Sequence, residues 1–152
     1  FEPCYEVNHI MTEEITLITP KDHRWAKKEY IEVEELLEEK FILPAENTLT
    51  YERINSALAN KNFSLLQLDS FLTLSNNEAI TLSVSKGLGV SFSSRIISST
   101  IGNVAAVPIK DIKVEVDLSV LRDRTLLTTA ARDAFWEFIS SVSDQIQTSF
   151  NI

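Results

Sequence analysis

The stretch Ser75–Ser94, SNNEAITLSVSKGLGVSFSS, decides the reading of this chain. Ile80 and Val84 stand one helical turn apart, so Asn77–Lys86 is predicted to be a helix with those two side chains on its inner face. Gly87 follows, the residue type that ends helices in the left-handed conformation. Gly89–Ser93, GVSFS, then reads as a short buried strand. A helix, a glycine stop and a buried strand in immediate succession is the pattern of an α/β chain.

Working towards the N-terminus, Glu14–Thr19 (EITLIT) reads as a strand stopped by Pro20, and the polar run Lys21–Tyr30 as loop. Val33–Glu39 is predicted to be a short helix with Leu36 and Leu37 inward. Lys40–Leu43 (KFIL) reads as a buried strand ended by Pro44. The small polar residues Ala45–Thr50 form a loop. Helix Tyr51–Asn60 follows, with Tyr51, Ile54 and Leu58 on one face and Thr48 or Thr50 as its cap. Ser64–Leu74 is strand-like with a break at Asp69-Ser70.

Towards the C-terminus, Ser94–Ser99 reads as a further short helix, and Ala105–Pro108 and Val114–Leu121 as strands. The second strand alternates, with Val114, Val116, Leu118 and Val120 on one face. The last helix places Ala131, Phe135, Phe138, Ile139, Val142 and Ile146 on one stripe, capped by Thr128 or Thr129. Strands alternating with helices predict a mostly parallel sheet with right-handed crossovers. In such sheets ligands bind where carboxyl ends of strands meet helix N-termini.

Composition narrows the function. The 152 residues hold 14 Lys+Arg against 22 Asp+Glu, a net charge of −8 with much of the excess in Glu29–Glu39. Such a chain is a poor partner for a phosphate backbone. Nothing resembles a membrane span or a secretory leader. One cysteine, Cys4, excludes an internal disulfide and fits a reducing cytoplasm; flanked by Glu2 and Glu6, it reads as an inert thiol. Two histidines and one cysteine cannot build a His/Cys zinc cage, so no metal is expected, and no cofactor is either. The chain starts at Phe1, which reads as a fragment of a longer protein.

His9 and His23 fall in polar stretches and read as solvated loop histidines. The glutamates of 32–39 read as the wet face of a helix around Leu36-Leu37. No G-x-S-x-G elbow is present, so no catalytic residue is assigned. Gly87-Leu88-Gly89 follows a helix and precedes a strand, the wrong order for a dinucleotide loop, and reads as a helix stop and tight strand entry. The segment with chemistry is Asn47–Thr50. It joins a strand's carboxyl end to a helix N-terminus, where unpaired amides and the helix dipole favour an anion and where two threonines and an asparagine add neutral donors. Simple helix capping needs only one of these residues.

The same residues resemble the effector-binding domain of LysR-type transcriptional regulators. Glu78, Ala79, Ile80, Val84, Gly87, Leu88, Gly89 and Val90 match that family's "E-A-I-x-x-x-V-x-x-G-L-G-[IV]" stretch. Glu14–His23 is similar to "E-x-L-x-L-[IV]-x-P-x-x-H-P-L", with Arg24 in place of the usual proline. Val33–Leu36 with Phe41–Leu43, and Arg122–Ile139 with Ala130-Ala131 and Phe135, extend the likeness over nearly the whole chain.

The resemblance implies a type 2 periplasmic-binding-protein-like α/β fold of two lobes joined by crossing strands. Residues 19–107 would form the second lobe, and 1–18 with 108–152 an incomplete remnant of the first. The winged helix-turn-helix of the family has no counterpart in these residues, and the missing part of the first lobe predicts an uncovered apolar surface on Val114–Leu121 and the last helix. By position, the family's cleft between lobes would recruit Asn47, Thr48, Leu49 and Thr50, with Asn76 and Ser93 at its edge. The implied function is cytoplasmic effector sensing: a small anionic metabolite would bind in the cleft of a homo-oligomer, and DNA would be contacted only through a separate helix-turn-helix domain. A solute-binding protein of the same fold, delivering a ligand to a transporter, is the alternative. An enzyme on this fold is a third reading, opposed by the lack of a dense acid/base cluster.

Overall fold

The computed structural model describes residues 4–150, with side chains through residue 143. Its elements are strand β1 (Tyr5–Pro20), β2 (Lys40–Pro44), helix α1 (Leu49–Ala59), β3 (Asp69–Leu74), α2 (Asn77–Ser85), β4 (Val90–Ser94), α3 (Arg95–Ile101), β5 (Val104–Val107), β6 (Val114–Asp123) and α4 (Ala130–Phe150). Short 3₁₀ turns occupy Val33–Glu38 and Leu65–Gln67. By its internal contacts the chain separates into two compact units, Phe1–Glu13 with Asp117–Ile152, and Glu14–Val116. Among the described residues, no helix is long and apolar enough to cross a membrane.

The second unit is built on the sheet order β3-β2-β4-β1-β5, and β6 pairs with β1. β2 runs parallel to both β3 and β4, whereas β1 is antiparallel to β4 and β5. The sheet is therefore mixed, where alternation of elements predicts a mostly parallel one. The reason is β1, the first strand of the chain, which lies between β4 and β5 and runs antiparallel to both.

Both faces of the sheet are covered. Leu17, Phe41, Leu43 and Phe92 join Ile54 and Leu58 of α1 in the larger core, and Ile18 and Ile42 meet Ile80 and Val84 of α2 in a smaller one. Adjacent strand residues thus feed opposite cores, the period of two that a buried strand requires. Gly87 takes φ +77°, as a helix stop should. Gly89 is held by close approach instead: a Cβ there would lie 2.7 Å from the Lys40 carbonyl oxygen, at the start of β2.

Several sequence expectations are corrected. Lys21–Tyr30 is a turn segment, yet Trp25 within it is fully buried and belongs to the main core. His23 is engaged rather than solvated. Its Nδ1 accepts from the Trp25 amide at 3.2 Å, and its Nε2 lies 3.2 Å from Glu39. His9 stands in β1, not in a loop. Leu37 is exposed while Leu36 is buried, because the segment is a 3₁₀ turn, whose three-residue period separates them. Ser64–Leu74 is not one strand. β3 begins at Asp69, and Phe71 bulges out where the pairing steps from Phe41↔Ser70 to Ile42↔Leu72.

In the first unit, Arg122 binds Glu6 and Asp133 and lies 4.8 Å over the Trp136 ring. Thr129 caps α4 through the Arg132 amide at 3.3 Å. Leu118, Leu121, Phe135 and Phe138 are exposed, the apolar surface anticipated for this part of the chain. Ile146 of the predicted stripe lies outside the described side chains.

Candidate functional site

The parallel strands β3, β2 and β4 end on one side of the sheet, and each is followed there by a helix. The three helices start at side-chain caps: Thr48 for α1, Asn76 for α2 and Ser94 for α3. The first amides of a helix have no carbonyl partner within it, so this edge gathers hydrogen-bond donors and the positive ends of helix dipoles. An edge of this kind favours an anionic or strongly accepting ligand.

The loop between β2 and α1 is tightly made. The Ala45 amide donates to the Leu74 carbonyl at 3.0 Å, fastening the loop to the end of β3. The Ala45 carbonyl accepts both the Thr48 amide (3.0 Å) and the Thr48 hydroxyl (2.6 Å). The same hydroxyl accepts from the Tyr51 amide at 3.3 Å. Thr48 is therefore fully used in building the turn and capping the helix. Asn47 is exposed and Thr50 half-buried, and among the described residues neither side chain has a protein hydrogen-bond partner. Leu49 is half-exposed at the first helical position.

Asn76 is exposed, and its side-chain oxygen accepts from the Ala79 amide at 2.8 Å. Ser93 differs from the other candidates. It is fully buried, and its hydroxyl lies 2.8 Å from that of Thr81 on α2. The structure thus brings Asn47, Thr48, Leu49, Thr50 and Asn76 to one exposed edge and puts Ser93 inside, because β4 side chains alternate and Ser93 points to the α2 layer.

Two residues at this edge escape the sequence reading. Ser94 caps α3 by accepting from the Ile97 amide at 3.1 Å. Arg95, next in the chain, donates to Glu14 of β1 at 2.8 Å. A hydroxyl placed just ahead of a predicted helix was the available signal for the first. The second needed the pairing of Ile15 with Ser94, which sequence does not reveal.

Two other hollows of this unit suit a ligand less well, and a third of about 470 Å³ opens beside Lys21, Lys86 and Asn103. A cavity of about 40 Å³ in the main core is lined by Ile15, Leu17, Leu58, Phe92 and Val107, room for a few waters but not for a metabolite. A larger hollow of about 360 Å³ flanks α1 beside Glu46, Tyr51, Leu66 and Ser70, with an acid and no cation on its wall.

Comparison with known proteins assigns this geometry to a family. The LysR substrate binding domain description matches residues 2–144. The chain is 31% identical over 141 residues to an uncharacterized HTH-type transcriptional regulator of Methanocaldococcus jannaschii, covering 91% of this chain and 48% of the relative. It is 32% identical over 140 residues to a probable RuBisCO transcriptional regulator of Trieres chinensis, covering 89% and 45%. The chain thus spans about half the length of the curated relatives it matches. Among solved structures, the regulatory domain of Synechocystis PCC6803 CcmR in complex with 2-PG superposes with a TM-score of 0.80 at 18% identity, covering 94% of this chain and 69% of that one. The effector binding domain of QuiR in complex with shikimate gives 0.78 at 19%, covering 95% and 68%. Both likenesses establish a shared fold.

Proposed function

The chain belongs to the LysR substrate-binding domain family, and on that premise we propose that it is the effector-sensing part of a cytoplasmic transcriptional regulator. The ligand is a small, anionic metabolite held at the carboxyl edge of β3, β2 and β4. The observation that carries this reading is the joint arrival of capped helix starts at Thr48 and Asn76 on that edge, with Asn47 and Thr50 presenting unspent polar groups beside them. Neutral donors and helix dipoles favour an anion there. The role is binding, not catalysis. DNA recognition belongs to a separate helix-turn-helix domain of a homo-oligomeric regulator, in keeping with the HTH-type relative and with the net charge of −8 on this chain.

A ligand regulates only by binding one conformational state better than another. The test is calorimetric titration with small carboxylates and phosphates, including shikimate and 2-PG, of the wild-type protein and of Asn47→Ala and Thr50→Val. Binding that weakens in both variants supports the site. Binding untouched by either variant moves the ligand elsewhere.

A further inference from the structure

We propose that Arg95 is the cation that grips the anionic group of the ligand, and that Glu14 occupies Arg95 in its absence as a built-in competitor. The inference rests on the effector-binding reading above and adds to it a residue and a regulatory contact.

The Arg95 guanidinium donates from Nη1 to Glu14 Oε2 at 2.8 Å, and the two side chains are 44% and 36% exposed. A solute can therefore reach both partners, and an ion pair this exposed is weak enough to exchange. Arg95 directly follows the Ser94 cap at the end of β4, and β4 lies between β2, which leads to Thr48, and β1, which carries Glu14. Acids stand along this edge, Glu46 in the loop, Glu52 in the first turn of α1 and Glu78 in the first turn of α2, while Lys113, paired with Glu115, is a second cation near Glu14. An entering anion meets repulsion from the acids, and Arg95 supplies the planar, two-pronged donor that matches a carboxylate or phosphate. Glu14 presents the same carboxylate chemistry to the same donor, so the ligand and Glu14 exclude one another. Glu14 is also the residue at which β1 enters the second unit. Occupancy of the site is thereby registered on one of the two strands, β1 and β6, that run from one unit into the other.

The test is calorimetric titration with shikimate, 2-PG and inorganic phosphate of the wild-type protein, Glu14→Gln, Arg95→Gln and the double variant, with circular dichroism to verify folding. Removing the competitor in Glu14→Gln is expected to tighten binding about two- to fivefold, the free energy of an exposed ion pair. Arg95→Gln is expected to weaken it about tenfold or more. The double variant is expected to match Arg95→Gln, because without the arginine Glu14 has nothing to withhold. Unchanged affinity in Glu14→Gln, or in Arg95→Gln, overturns this inference while leaving the effector site in place. Absence of binding by wild type and Glu14→Gln alike overturns the effector reading and this inference together.

Discussion

The hydroxyls of Thr81 and Ser93 meet at 2.8 Å in the buried layer between α2 and β4. Thr81 also donates to the Asn77 carbonyl at 2.8 Å, so the Ser93 proton goes to Thr81. The pair ties the second turn of α2 to the end of β4, beneath the edge that carries the caps. Thr81→Val strands the Ser93 hydroxyl and is expected to cost about 1–3 kcal/mol. Ser93→Ala leaves Thr81 bonded to Asn77 and is expected to cost less. Urea unfolding of the two variants checks the order. Equal costs would mean that the proton runs the other way.

Thr48 carries the α1 start. Thr48→Ala removes both the bond to the Ala45 carbonyl and the cap on the Tyr51 amide, and is expected to cost about 1 kcal/mol. Thr48→Ser keeps both bonds and is expected to stay within about 0.5 kcal/mol of wild type. Thermal unfolding distinguishes them.

Gly89 and Gly87 call for opposite arguments. Gly89→Ala drives a methyl group onto the Lys40 carbonyl, a backbone atom in the β2–β4 seam. Gly87→Ala meets nothing within 4 Å and suffers only its positive φ, a strain of about 1 kcal/mol. Gly89→Ala is therefore expected to be the more destabilising in denaturant titration. It is also expected to lose hydrogen-exchange protection along Lys40–Pro44.

Acid should expose the contribution of Glu35. The Lys28 ammonium, bonded to it, and the Glu32 amide together hold its carboxyl below the ordinary glutamate range. A depressed carboxyl stabilises the fold above its unfolded value and loses that contribution as pH falls through the folded one. Below about pH 4.3 the wild-type melting temperature is expected to fall more steeply than that of Glu35→Gln. Parallel curves would show that the Lys28 pair contributes nothing.

Where local periodicity and end signals act alone, sequence and structure agree. Ile80 and Val84 are buried on α2, Gly87 stops it, and Ile54 and Leu58 pack from α1. The divergences arise where a partner distant in sequence decides. Trp25 is buried because Ile31, Leu36 and other core residues close over a polar-looking loop. β1 extends to Tyr5 because β6 pairs with it. At the candidate site, the loop Asn47–Thr50 was legible from strand, cap and helix. The burial of Ser93 and the Glu14–Arg95 contact were not, since each depends on which strands become neighbours in the sheet.

The most direct measurement is the map of backbone amide chemical shifts during titration with an anionic ligand such as shikimate or 2-PG. The account predicts that the largest changes fall on Leu49–Tyr51 and Asn77–Ala79, the first turns of α1 and α2, and at Arg95. Saturable shifts confined to residues away from this edge would contradict it.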